Sequence, residues 1–523
     1  MKSALLLLLA LSLFAADYAA EGKLWWAHIR FLADDKLEGR NTGTEGHRTA
    51  AAYVATQFER AGLKPGGTSG YQQPVAMLTR TLVPAESGLA LVRGDNTEPL
   101  TLGKDANLTS RGEAEGPVTA PMVFVGYGLV IPEAHYNDLE SLDLKGKIAV
   151  YVNAQGPVQA SGNVKSHYSS AVERWAALRQ AGAIGTATIA NPRVPAPDPG
   201  AAGRGRGGQG APPQPSVSLA DASLRENAGM QVALTISREG GEKFFAGSGH
   251  TYESILKLAA DNAPLPTFPL TASLRANTVA TSAPLDSLNV AGILPGSDPK
   301  LKDEYVVFSA HLDHLGKGRP GVMDNASGVA SVLETARLFH DSGVKPKRSI
   351  IFLTVTGEEK GELGSRYFAA HPTVPASRIV ADINLDMFLP LYKLKVLEVQ
   401  GLSESSLGDV VREAAKVEGV DVQTDREPEQ NRFIRSDQYS FIRQGIPSLA
   451  FKFGYEFGSP EEKTRQEWVK TIYHKAGDNL TQPVDTASAA QFDRIIFGLL
   501  QRVADDPARP QWKSDSFFRR FAK

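Results

Sequence analysis

Residues 305–328 read YVVFSAHLDHLGKGRPGVMDNASG, and the fold turns on this stretch. Residues 305–310 are an apolar run of strand length that ends in His311-Leu312-Asp313; after a Gly/Pro-rich loop, Asp324-Asn325-Ala326-Ser327-Gly328 opens a helix. An imidazole and a carboxylate beside a dry core are costly unless something binds them. A metal ion accounts for both. His311 would be a nitrogen ligand, and Asp313, two residues on, would hydrogen-bond the other ring nitrogen and fix its tautomer. Asp324 then supplies a carboxylate able to bridge two cations. The plain alternative is a strand-end histidine satisfied by a neighbouring carboxylate. The rest of the chain decides between them.

The alternation that follows sets the architecture. ASGVASVLETARLFHD has helical spacing and SIIFLTVTG reads as a strand. GELGSRYFAAH is a helix, RIVADINLDMF a strand, SLGDVVREAAKVEG a helix, IPSLAFKF a strand, and QFDRIIFGLLQRVADD a closing helix. Such alternation predicts an α/β fold, a mostly parallel mixed sheet with helices on both faces. Ligands in such folds sit beyond the carboxyl ends of the strands. The polar clusters fall there. Strand 349–356 runs into Gly357-Glu358-Glu359, strand 379–385 into Asp386, and Tyr473-His474 follows a loop after strand 446–453.

His311, Asp324, Glu359, Asp386 and His474 make five donors. With Asp324 shared, each of two ions receives a histidine, a terminal carboxylate and part of the bridge. Three protein ligands leave a position open, as catalytic sites do. Two ions about 3.5–4 Å apart would polarise a carbonyl and lower the pKa of a bridging water. Glu358, next to a ligand but pointing differently, is placed to take that water's proton. A solvated helix start is the plain reading of a Glu-Glu pair. Clusters at the ends of several strands argue against it.

Upstream, LWWAHIRFLADD and HRTAAAYVATQFERAGL are helical and flank the loop LEGRNTGTEG; His28 and His47 receive no role. Residues 70–110 read as strands with turns. From about 115 the character changes: PMVFVGYGLV and GKIAVYVNA are short β runs, and AVERWAALRQAGAIGTATIA is a helix followed by a strand. PAPDPGAAGRGRGGQGAPPQP at 195–215 has almost nothing to bury and is expected to be a mobile surface loop. Two arginines there without aromatics make a weak case for RNA.

At 523 residues two domains are expected. Lys+Arg 56 against Asp+Glu 58 leave no global field for nucleic acid or an anionic membrane. Lys2 and the apolar run 4–16 have the length of a signal-peptide core and are short for a membrane span. Export to the periplasm or beyond is expected, with processing near 16–20 and no stable membrane insertion afterwards; a retained anchor is the alternative. With no cysteine, every metal site must use oxygen and nitrogen ligands.

SAHLDHLG, GVMDNASG, TGEEKGELGS, NLDM, RSDQYSFIRQGIPSLAF and IYHKAGDN, in that order, resemble the co-catalytic zinc exopeptidase family, which includes secreted bacterial leucine aminopeptidases and glutamate carboxypeptidase II. VGYGLVIPEAHYNDLESLDLKGKIAVYV resembles the protease-associated (PA) domain that many members carry. With the signal peptide placed at 1–20 and a basic tail at 511–523, the resemblance implies the start of the peptidase domain at 21–114, a PA domain at 115–268 and the catalytic domain at 269–510. It implies two zinc ions, with cobalt or manganese as substitutes. His311, Asp324 and Asp386 would hold one; Asp324, Glu359 and His474 would hold the other, with Glu358 as general base. It further implies a cis peptide at Asp324-Asn325, Tyr473 as hydrogen-bond donor to the developing oxyanion, and Arg435 as a substrate contact. A packing tyrosine and a surface ion pair are the alternatives for these two. His314 matches no ligand and is expected behind the ligands or at the rim.

The function expected is a secreted exopeptidase acting on peptides, with removal of amino-terminal residues favoured. A carboxypeptidase would need clustered cations, for which Arg426, Arg432 and Arg435 are available. A single-zinc glutaminyl-cyclase-like enzyme would lack part of the donor set. So would a binding protein on a decayed peptidase. A related family with a dimerisation lid inserts a whole domain between its later ligands, and the span from Asp386 to His474 has no room for one. The PA module reads as a lid over the site or as a docking surface.

Overall fold

The computed structural model describes residues 17–194 and 215–522. Most of the expected signal segment and of the Gly/Arg-rich loop thus lie outside the described residues. Two large sheets organise the rest. The first runs in the order Ser216–Leu219, Gln72–Leu82, Ala280–Leu294, Ser349–Val355, Tyr305–His311, Ile379–Leu385, Ser448–Phe453, Val396–Gln400, Asp421–Thr424. Its centre is parallel: Tyr305–His311 lies between Ser349–Val355 and Ile379–Leu385, and the latter pairs with Ser448–Phe453. Pairing is antiparallel where Ala280–Leu294 and Val396–Gln400 join. The sheet is therefore mixed, with the parallel strands placed where the ligand-bearing residues are.

Central strands of this kind are buried on both faces, which is why their sequences are continuous apolar runs. Period-two alternation still divides them. Phe308 and Phe352 pack with Trp25, Ile29, Phe58 and Val332 on one face, whereas Val307, Ile351 and Leu353 pack with Phe368 and Phe441 on the other. Helix Tyr18–Leu32 starts inside the expected processing window, its first turn capped by the Asp17 carboxylate, which accepts from Ala20 N at 3.0 Å. It buries Trp25, Ile29 and Leu32 at helical spacing.

The second sheet has its own core and the order Asn96–Leu100, Gly88–Arg93, Thr267–Asn277, Val118–Val125, Ile148–Val152, Gly185–Ile189, Val232–Ile236, Ala106–Leu108. It begins earlier and ends later than the span 115–268. Gly88–Arg93 pairs antiparallel with Thr267–Asn277, so strands far apart in the chain close the sheet together. The two sheets are joined by an antiparallel ribbon in which Gln72–Leu82 pairs with Ala280–Leu294 from Val290↔Gln72 to Ala280↔Leu82. Ser216–Leu219, reached from within the second domain, returns to pair with Gln72–Leu82.

Candidate metal centre

The chain leaves the parallel strands at one edge, and there the expected donors meet. His311 is the last residue of its strand and fully buried. Its Nε2 lies 3.3 Å from Asp324 Oδ1 and 3.3 Å from Asp386 Oδ1. Its Nδ1 is 3.1 Å from the backbone carbonyl of Asp313. A carbonyl only accepts, so this contact puts a proton on Nδ1 and leaves Nε2 facing the carboxylates. The expected role of the Asp313 side chain is corrected here. The chain turns as it leaves the strand and brings the carbonyl, not the carboxylate, to the ring. The carboxylate accepts from Thr42 Oγ1 at 2.8 Å and from the Glu358 backbone N–H at 3.1 Å. Asp313 thus orients His311 through its backbone and Glu358 through its side chain.

Asp324 divides its two oxygens. Oδ1 faces His311, while Oδ2 is 3.0 Å from His474 Nε2 and 3.9 Å from His314 Nδ1. The peptide Asp324-Asn325 is cis, as the resemblance implied. The loop is held from several sides. Asp478 accepts from Met323 N at 2.9 Å and Asp324 N at 3.1 Å, and Asn325 Nδ2 donates to Leu385 O at 2.8 Å. Gly321, at φ 63°, leaves no space for a β-carbon, which would fall 2.3 Å from Asp324 O.

Glu358 and Glu359 are buried on a short turn after Ser349–Val355. Glu359 Oε1 is 2.8 Å from His314 Nδ1 and 3.5 Å from His474 Nε2. Asp386 follows Ile379–Leu385, and the buried ammonium of Lys452 donates to its carbonyl at 2.7 Å and to that of Met387 at 3.0 Å. Tyr473 stacks on His474 with ring centroids 3.8 Å apart. Burial and the surrounding carboxylates, Asp324 foremost, push its phenol well above the usual range, so it stays a donor. Arg435 is exposed, donating to Gln430 O at 3.2 Å, and is not buried with the donors.

The donor set fits divalent cations. His311, Asp324 and Asp386 each offer an atom within 4.8 Å of the others, as do His314, Asp324 and Glu359. Two ligands at Zn–N/O bond lengths and a tetrahedral angle stand about 3.4 Å apart, which matches the 3.3 Å from His311 to each carboxylate. The charges agree. Burial disfavours the charged imidazole of His311, yet the carboxylates of Asp324 and Asp386 outweigh this and draw it well above its usual pKa. Glu359 is pushed up to about 8 by burial and by Asp324. Acidic groups packed this densely call for positive charge in their midst.

His314, expected behind the ligands or at the rim, is instead one of the grouped donors, and two further residues, Asp478 and Lys452, had no place in the sequence reading. His314 is fully buried against Glu359, and its signal was the spacing HLDH, one turn-like step past the first histidine. Asp478 carried its signal in HKAGD, four residues after His474. Lys452 sits in IPSLAFKF, where a cation in an apolar strand needs a buried partner.

Residues 289–500, which contain all five expected donors, match peptidase family M28. This part of the chain is an M28 peptidase domain. The leupeptin-inactivating enzyme 1 of Streptomyces exfoliatus is 28% identical over 239 residues, 44% of this chain and 52% of the relative. The probable leucine aminopeptidase 2 of Aspergillus oryzae is 28% identical over 250 residues, 45% of this chain and 48% of the relative. The chain spans about half the length of these curated relatives. An aminopeptidase structure from Aneurinibacillus sp. strain AM-1 superposes with a TM-score of 0.54 at 20% identity, covering 93% of this chain and 95% of that one. The likeness thus extends beyond the M28 domain to the fold of the second domain.

Proposed function

We propose that the protein is an exported two-zinc exopeptidase that removes residues from the free amino terminus of peptides. The observation that carries this reading is the division of the Asp324 carboxylate, one oxygen toward His311 and the other toward His474. His311 and Asp386 would complete one ion's ligands, and Glu359 and His474 the other's. When bound, such ions supply Lewis acidity toward a carbonyl oxygen and toward water.

The remaining chemistry belongs to the chain. Glu358 belongs to neither ligand group, and its backbone is held by Asp313. Its carboxylate takes the proton of the attacking water and returns it to the leaving amine. The protonated Tyr473 phenol, oriented by its stack on His474, donates to the oxyanion that forms. An acidic environment beside these groups suits a substrate ammonium. The cations a carboxypeptidase would need are already engaged: Arg426 pairs with Glu456 at 3.0 Å and Arg432 with Glu427 at 2.9 Å. The name of one relative, probable leucine aminopeptidase 2, supports the same reading. The second domain would be the PA module that narrows access to the site. Among the described residues no helix is long and apolar enough to cross a membrane.

The test is hydrolysis of amino-acid p-nitroanilides beside N-acylated dipeptides, with and without chelator, with zinc counted per chain. Cleavage of the free-amine substrates, lost on chelation and restored with two zinc ions, is expected. Preference for the acylated dipeptides, or a single zinc at full activity, overturns the reading.

A further inference from the structure

The second domain does more than stand beside the M28 domain. Its helix Gly162–Ser169 carries His167, which is buried and bonded through Nδ1 to the hydroxyl of Tyr439. Around this bond the domains are stitched together. Glu173 accepts from Arg443 at 2.7 Å, and Asn163 donates to Glu404 at 3.3 Å. At Gly162 a β-carbon would fall 2.7 Å from Asn431 Oδ1, so the helix approaches the segment as closely as glycine permits. Phe517 and Phe521 of the C-terminal tail flank the imidazole at 5.3 and 5.7 Å, and Arg520 of the same tail joins Glu133 and Tyr168.

Besides Glu404 and the C-terminal tail, the second domain grips residues 428–443 here, through Asn431, Tyr439 and Arg443. That segment reaches the active edge of the first sheet. Gln438 accepts from Asn384 at 2.8 Å, on the strand that leads into Asp386, and Ser440 bonds Ser365 at 2.9 Å. Asp437, in the same segment, is fully buried. Arg435 projects from the same segment to the surface.

We infer that His167 is a positioning residue for the M28 domain: through Tyr439 it fixes segment 428–443, and so the seating of Gln438 against Asn384 and of Ser440 against Ser365 beside the strand that leads into Asp386. The inference rests on the peptidase reading and gives the second domain a part in it. A small misplacement of groups around reacting atoms costs far more in rate than in stability.

His167→Ala and Tyr439→Phe, the latter removing only the hydroxyl, are each expected to lower kcat/KM about tenfold, mainly by raising KM. The double variant should lose no more than either single one. Zinc per chain should be unchanged, hydrogen exchange should quicken in 428–443 but not in 305–328, and His167→Asn, which keeps a polar atom near Nδ1, should recover most of the loss. Unaltered exchange in 428–443, additive effects, or losses that track lost zinc overturn the inference. The exchange measurement decides the coupling even if no peptide is cleaved, so failure of the peptidase reading is seen separately.

Discussion

Replacing Asp478 by alanine tests whether the bridging aspartate is held by its backbone. Asp478 is fully buried and accepts from two amides, Met323 N at 2.9 Å and Asp324 N at 3.1 Å, besides Gln482 Nε2 at 2.6 Å. Burial pushes its carboxyl up, and the Met323 amide opposes this. Alanine leaves both backbone donors buried without an acceptor, at about 1–3 kcal/mol each, or about 2–6 kcal/mol together. Asp478→Asn keeps one acceptor oxygen and turns an amide against the second donor, for about half of that. The assay is hydrogen exchange at the Met323 and Asp324 amides of metal-free protein, where local opening is read directly. At 1.36 kcal/mol per factor of ten, Asp478→Ala should quicken exchange about thirty-fold at the lower end, with Asp478→Asn between. Zinc affinity should fall in the same order, because the loop that presents Asp324 is no longer fixed. Exchange within about threefold of wild type in the alanine variant would refute the reasoning.

Glu358→Gln should lower kcat by about 10²–10⁴-fold while two zinc ions remain bound, as metal analysis would show. Tyr473→Phe should lower kcat by about 10²-fold with KM nearly constant, measured on the same p-nitroanilides. Burial pushes the His47 imidazole down to about 4, against the pull of Asp313. Between pH 6.5 and 4 the unfolded chain therefore binds more protons than the folded one, so His47 stabilises above this window and its contribution is lost as pH falls through it. The loss is about 3 kcal/mol, and urea unfolding of His47→Gln beside wild type should show a flatter decline.

Much of the candidate metal centre was legible because its chemistry is local to strand ends: a histidine after VVFSA and acids after IIFLTV and VADIN conflict with the apolar runs they follow. His311, Glu359 and Asp386 meet as those conflicts suggested, whereas His474 arrives not after a strand and loop but just past the end of helix Pro460–Thr471. What escaped depends on backbone direction. Nothing in HLD tells whether a carbonyl or a carboxylate of Asp313 will face the ring, and His314 could be ranked only once Glu359 stood 2.8 Å away. The limits of the second domain escaped for another reason. Gly88–Arg93 alternates weakly, and its partner Thr267–Asn277 lies far along the chain, so no nearby turn announces the pair.

The ribbon between the sheets has a consequence for how the molecule keeps itself soluble. Because Leu82 and Ala280 face each other directly, the two ends of the insertion lie side by side at the ribbon, and closing the chain there on excision would need only a tight turn. Excision would also remove Ser216–Leu219, which shields the outer rim of Gln72–Leu82. Val75 and Met77 pack in a small cluster with Leu219 there, and a long strand stripped of that neighbour is a template for self-association. The insertion supplies the guard for the very strand that admits it.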